Sequence, residues 1–319
     1  MSKLKVVFMG TPEFSVPVLE GLIDNYDVIG VVTQPDKEIG RNKEIVFSPV
    51  KKVALSNNIK VIQPVKIRTD YEEILELNPD MIVTCAYGQI IPKVLLDLPK
   101  YGCINVHASL LPKYRGGAPL HRVVINGESK TGITIMYMDE GMDTGDIIST
   151  RETLIDINDT VGDIHDRLSI MGKELLLDTI PTILDGTNER IKQNNQEATF
   201  APVIKREDEL IDFNKTSLEI YNKIRGLNPF PVGYAILDGK VIKVYSSKIK
   251  ENIYTTKKNG EIVRIYDDGI GISTGDGEII LTEIKPEGKK RMLVKDYLNG
   301  IDKNSLLGKV FNEESYEKE

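Results

Sequence analysis

At 319 residues, 40% hydrophobic and 28% charged, the chain has an ordinary soluble composition and enough length for two domains, each able to bury a core. No apolar run approaches the roughly 18 residues that a membrane-spanning helix needs, and two cysteines make neither a disulfide framework nor a metal cluster. A net charge of −7 argues against indiscriminate binding to nucleic acid.

The start, MSKLKVVFMG, passes straight into a strand with no leader or transit pattern, so a cytoplasmic location is expected. Residues 5–9 form that strand, 16–23 the helix after it and 28–33 the second strand. Ser48 and Pro49 make a helix start, Ser as the cap and Pro at the first helical position. Residues 60–63 read as a short strand, 71–77 as a helix and 81–85 as a core strand. The apolar, β-branched strand at 103–107 follows, then a helix over 119–125, strands at 131–138 and 147–151, and a long periodic helix over 161–184. Strand and helix patterns that alternate in this way predict a parallel sheet with right-handed crossovers. Cys85 and Cys103 lie in two of these strands and read as buried thiols of a reducing compartment.

Residues 186–206 are polar and aperiodic, and read as a linker between two bodies. After a helix over 217–226 the character changes. Asp238-Gly239 between apolar runs signals a hairpin, and Gly269, Gly271, Gly275 and Gly277 punctuate further short strands, with a short helix at 296–298. The expected fold is therefore α/β: a doubly wound, mostly parallel, Rossmann-like sheet over 1–188, a linker over 189–206, and a small oligonucleotide-binding-like β-barrel over 207–319. Six lysines and one acid fall between 240 and 258, which suits a solvated face or a phosphate footprint. Charge alone does not choose between them.

The run NVHASLLP at 105–112 carries the chemistry. Asn105 and His107 are two apart, so on a strand both side chains leave one face, where the strand opens into the loop KYRGG. In open α/β sheets ligands bind at that end of the strands. His107 is one of three histidines; His121 and His165 read as satisfied or surface groups. A third group, Asp143, sits in the glycine-bracketed acidic loop EGMDTGD, which by itself fits a common turn equally well. An Asn, a His and an Asp brought together suit acyl transfer to an amine: an amide donor for the oxyanion, an imidazole for the proton and a carboxylate to orient it. GTPEFS after the first strand is not GxGxxG, since it has one of the three glycines and Pro12 obstructs pyrophosphate approach, so a nicotinamide or flavin is not expected.

These motifs resemble the methionyl-tRNA formyltransferase family. NVHASLLP, KYRGGAPLHR and TGITIMYMDEGMDTGDI carry the resemblance, extended by MGTPEFSVPVLEGL, AYGQIIP, ATFAPVIK and RGLNPFPVGYA to nearly the whole chain. The resemblance implies a formyltransferase-type catalytic domain that passes formyl from 10-formyltetrahydrofolate to the α-amino group of methionylated initiator tRNA, as translation begins. It implies Asn105, His107 and Asp143 as the catalytic trio and Ser109, Leu110, Leu111 and Pro112 as a folate-binding stretch. The backbone of Ala86, Tyr87, Gly88, Gln89, Ile90 and Ile91 would line the pterin pocket. Phe14, Arg41 and Lys43 would face the tRNA, the last two on a mobile loop at 34–47, and the C-terminal barrel would bind tRNA. No metal, membrane or obligate protein partner is expected. A sugar-nucleotide formyltransferase, with a second domain and a similar motif, is the nearest rival enzyme. A nucleic-acid-binding protein built on a retired enzyme would not need the trio intact.

Overall fold

The computed structural model describes residues 3–39, 43–250 and 256–313, with the side chain of Ile39 left aside. Apolar, β-branched runs form the expected strands β1 (Lys5–Gly10) and β2 (Asp27–Val32), with helix α1 (Val16–Asn25) between them. A short hairpin of β3 (Lys37–Ile39) and β4 (Glu44–Val46) follows, in the segment expected as an irregular loop. Its charged composition hides the pairing from a periodicity reading. Ser48 caps α2 (Pro49–Ser56) by accepting the Lys51 N–H at 3.0 Å. Then come β5 (Val61–Ile62), α3 (Glu72–Leu77), β6 (Met81–Cys85), α4 (Lys93–Leu96), β7 (Cys103–His107), α5 (Pro119–Ile125), β8 (Lys130–Tyr137), β9 (Ile147–Leu154) and α6 (Val161–Asp185).

The sheet order is β5-β2-β1-β6-β7-β8-β9; the first five strands run parallel, β8 runs opposite to them, and β9, antiparallel to β8, runs with them again. The winding order of the strands reverses between β1 and β6, with β2 and β5 added on one side and β6 and β7 on the other, so the crevice at their carboxyl ends is the topological switch point. Ile74 of α3 and Leu95 of α4 pack on the face that carries Val7, Met9 and Ile82. Gly172 of α6 meets Val106 and Val18 on the opposite face, which makes the sheet doubly wound.

The chain forms two compact units. One comprises the residues up to Pro119, Lys130–Leu154 and His165–Pro202; the other comprises Leu120–Ser129, Ile155–Ile164 and the residues from Val203 onward. In the second unit, α7 (Ser217–Gly226) precedes β10 (Gly233–Leu237), β11 (Lys240–Ile249), β12 (Ile262–Ile265), β13 (Ile270–Ser273), β14 (Glu278–Pro286), β15 (Met292–Leu293) and α8 (Val294–Asn299). The Asp238-Gly239 turn has φ of 51° and 73°, the left-handed pair that joins a two-residue hairpin without splaying its strands.

All strand pairs of this unit are antiparallel, in the order β10-β11-β14-β13-β12, with β15 beside β14. The two edge strands are joined by residues 309–312. Val310 bridges Glu261 beside β12, Phe311 donates to the Gly260 carbonyl, and Asn312 exchanges two hydrogen bonds with Ile236 of β10. The Asn312 amide also donates to the Ile211 carbonyl at 2.7 Å, and the sheet curls into a barrel around Val244, Ile272, Ile279 and Ile284. Asn312→Ala removes two of these bonds and is expected to cost about 2 kcal/mol of stability. An unchanged urea midpoint would show that the tail does not hold the barrel shut.

Candidate active site

Asn105 and His107 leave the same face of β7, one opposite Thr84 of β6 and the other opposite Thr134 of β8. Thr84 Oγ1 donates to Asn105 Oδ1 at 2.8 Å, which fixes the orientation of the amide. Nδ2 has no partner among the described residues, as an oxyanion donor requires.

His107 is 6% exposed. The Tyr114 carbonyl lies 3.1 Å from Nε2 and accepts from it, so Nε2 carries the hydrogen and Nδ1 the lone pair. Nδ1 faces Asp143 Oδ1 at 3.7 Å. A lone pair and a carboxylate gain nothing from each other; an imidazolium and a carboxylate attract. The pairing therefore favours the moment when His107 has taken a proton.

Asp143 is held in a left-handed conformation, φ 53°, which few non-glycine residues adopt outside functional or turn positions. Its Oδ2 accepts the Gly116 N–H at 2.8 Å. Gly116 has φ 115°, and a Cβ there would stand 3.0 Å from the Ala201 carbonyl, so only glycine fits this approach. The acidic loop thus joins the strand-end pair, and the three expected catalytic side chains converge.

The other expected residues divide. Ala86, Gly88 and Ile90 follow β6 and are exposed beside the strand that carries Asn105. Tyr87 and Ile91 turn into the core, and burial pushes the Tyr87 hydroxyl up to about 12. The Tyr87 carbonyl accepts from Gln34 Nε2 at 2.9 Å, and Gln89 accepts the Ile67 N–H at 2.9 Å, so this stretch is tied to two neighbouring loops. Ser109 and Leu111 are buried, clamped to β8 through Thr134, while Leu110 is partly exposed. Pro112 follows a cis peptide bond.

Phe14 is 5% exposed and packs edge-on against His165, with ring centroids 5.4 Å apart; His165 itself is partly exposed on α6 and bonded to Asp166, in keeping with a satisfied or surface group. Lys43 is exposed and lies 3.7 Å from Glu38. Arg41 falls outside the described residues. At the base of the β3–β4 hairpin, hydrogen bonds from Lys51 and Gln63 hold Asp36 below the usual carboxylate range. Burial pushes both thiols, Cys85 and Cys103, up to about 12, which keeps them inert. Among the described residues no cluster of His, Cys, Asp or Glu is arranged to hold a metal ion, and no helix is long and apolar enough to cross a membrane.

Sequence reading missed three partners. Thr84 orients Asn105, the Tyr114 carbonyl sets the tautomer of His107, and Gln193 donates to the Asp143 carbonyl at 2.8 Å from within the stretch expected as a linker. That stretch is pinned to the first unit: Ala201 donates to the Arg115 carbonyl, and the Thr199 carbonyl accepts the Arg115 N–H. Aperiodic polar sequence carries no signal for such contacts.

Residues 3–180 match the family model described as formyl transferase, and residues 203–302 match the formyl transferase C-terminal domain. The chain is 51% identical over 317 residues to a methionyl-tRNA formyltransferase of Bacillus subtilis, covering 98% of this chain and 99% of the relative. It is 49% identical to one of Macrococcus caseolyticus, covering 97% and 99%. Among solved structures, an N-formyltransferase of Helicobacter canadensis in complex with folinic acid and dTDP-3-aminofucose superposes with a TM-score of 0.66 at 27% identity, covering 88% of this chain and 99% of that one. A methionyl-tRNA formyltransferase of Clostridium thermocellum shares the fold with a TM-score of 0.54 at 22% identity, covering 78% and 95%. The strand-end trio on a doubly wound sheet, the barrel after it and this identity along the whole chain agree: the chain belongs to the methionyl-tRNA formyltransferase family of formyl transferases.

Proposed function

We propose that this chain transfers formyl from 10-formyltetrahydrofolate to the α-amino group of methionylated initiator tRNA, with Asn105, His107 and Asp143 as its catalytic residues. The observation that carries the reading is His107, held through Nε2 by a backbone carbonyl with its free Nδ1 turned to a carboxylate. The folate supplies the formyl group; the exposed backbone at Ala86, Gly88 and Ile90, beside the Asn105 strand, is the surface that fits its ring system. Ser109–Pro112 are assigned to the same folate site, with Leu110 and Pro112 the partly exposed members.

As the amine attacks the formyl carbon, the carbonyl π pair moves to oxygen, and the Asn105 Nδ2 hydrogens meet the developing charge. One such donor is worth about 3 kcal/mol, or roughly 10²–10³ in rate. The attacking nitrogen sheds a proton to His107 Nδ1, where Asp143 stabilises the imidazolium. The proton is then available to the departing nitrogen as its bond to carbon breaks. No covalent enzyme intermediate is required, and both buried thiols stay outside the reaction.

Phe14, Arg41 and Lys43 are assigned to the acceptor end of the tRNA, residues 1–188 to catalysis, 189–206 to the connection, and 207–319 to tRNA binding. Of the six lysines between 240 and 258, Lys248, Lys257 and Lys258 pair with Asp268, Glu261 and Glu313. Lys243, however, stands directly opposite Lys285 on β14, and neither pairs with a carboxylate among the described residues. Like charges opposite one another repel, and a phosphate backbone between them relieves that repulsion. Identity of 51% along the chain to a relative named for methionyl-tRNA, against 27% to one solved with a dTDP-aminosugar, supports tRNA as the acceptor.

The test follows tetrahydrofolate release with methionylated initiator tRNA and, separately, with a nucleotide-linked aminosugar. Turnover with the tRNA alone is expected; turnover with the aminosugar and none with tRNA would replace this reading. The double variant Lys243→Glu, Lys285→Glu should raise KM for tRNA roughly tenfold and flatten its salt dependence, with KM for folate unmoved. Equal effects on both substrates would remove this face from tRNA binding.

A further inference from the structure

Arg115 is 3% exposed, yet its guanidinium meets only neutral acceptors among the described residues: Gln193 Oε1 at 3.1 and 2.7 Å, and Asn195 Oδ1 at 2.9 Å. A buried cation without a carboxylate is expensive, and a well-packed apolar residue of similar volume would be cheaper. The cost has a visible return. With its Oε1 occupied by two guanidinium donors, Gln193 has only one way to face, and both Nε2 hydrogens are spent on the acidic loop. One goes to the Asp143 carbonyl and one to the Gly145 carbonyl, each at 2.8 Å. The residue after Arg115, Gly116, binds the Asp143 carboxylate from the other side. Asp143 is thus gripped at its carboxylate and at its main chain by two arms that both start from residues 115–116.

We propose that Arg115 and Gln193 are positioning residues that hold the left-handed backbone of Asp143, and so keep its carboxylate aimed at His107 Nδ1. This rests on the reading of Asp143 as the partner of His107. Neither side chain touches the reacting atoms; Arg115 sets the orientation of Gln193, Gln193 sets the loop, and the loop sets the 3.7 Å approach. Catalysis is sensitive to such geometry, since a misplacement of about 1 Å in an aimed group costs up to roughly a hundredfold.

The test compares Gln193→Glu and Gln193→Ala in the full-length protein. The glutamate keeps the acceptor for Arg115, now as an ion pair, but removes both donors to the loop and turns a carboxylate on two carbonyls. The alanine removes the link without adding repulsion, and serves if the glutamate variant fails to fold. Either variant should lower kcat by roughly ten- to a hundredfold, with KM for tRNA and folate within about twofold, because only the aim of Asp143 changes. In an Asp143→Asn background the same substitution should cost less than about twofold more, since there is then no charge left to aim. Wild-type kcat in the Gln193 variants, or a full additional loss in the Asp143→Asn background, overturns the proposal. If Asp143→Asn alone retains wild-type kcat, the failure belongs to the catalytic reading and not to this one.

Discussion

His107→Ala and Asn105→Ala are each expected to lower kcat by at least about 10², with little change in KM, because both act on charge that develops only in the transition state. Their effects on stability should differ, and the difference follows from their hydrogen bonds. Removing the imidazole deletes its hydrogen bond to the Tyr114 carbonyl, at about 1 kcal/mol, or a few degrees in melting temperature. Removing the Asn105 amide costs less, since Thr84 Oγ1 already lies 3.4 Å from the Ile104 carbonyl and can turn to it. Single-turnover formyl transfer at 25 °C, well below either melting transition, separates chemistry from folding. A His107→Ala enzyme that turns over normally would end the proton-transfer scheme.

Asp143→Asn is the second large effect. The amide is nearly isosteric and can still accept the Gly116 N–H, so the loop should keep its shape. What disappears is the negative charge 3.7 Å from Nδ1. That charge faces the positive charge that develops on the imidazole as the proton transfers, an aimed electrostatic interaction of the kind whose removal costs about two to three powers of ten. The expected loss in kcat is therefore roughly 10²–10³. Turnover near that of the unaltered protein would mean that the acidic loop is only a turn. In that case Gly116 and Gln193 serve folding alone.

Much of the first unit was legible because its information is local. Apolar runs of strand length between helical periods announce a parallel sheet, and Ser48-Pro49 announces a helix start through groups within one turn. Asn105 and His107 were legible for the same reason: a strand end and an alternation of two place them together. What stayed hidden depends on pairing across the chain. Thr84 reaches Asn105 only because β6 and β7 pair in that register, and Gln193 reaches Asp143 from 50 residues away. The β3–β4 hairpin stayed hidden because Lys37, Glu38 and Glu44 obscure any alternation. The barrel was foreshadowed by its glycine turns and the Asp238-Gly239 hairpin, but residues 309–312, which join its edges, carry no strand pattern of their own.

That joining segment bears on how the chain is made. During synthesis β10 and β12 emerge long before residues 309–312; until then Ile236 of β10, beyond the bridge from Leu210 to Tyr234, and the outer edge of β12 keep backbone donors and acceptors unpaired. The second unit therefore reaches its closed form only after nearly all of the described chain has left the ribosome. A polypeptide stalled within that interval displays two open edges, each a template for pairing with a neighbouring nascent chain. The exposure ends when Asn312 docks between Ile236 and Ile211.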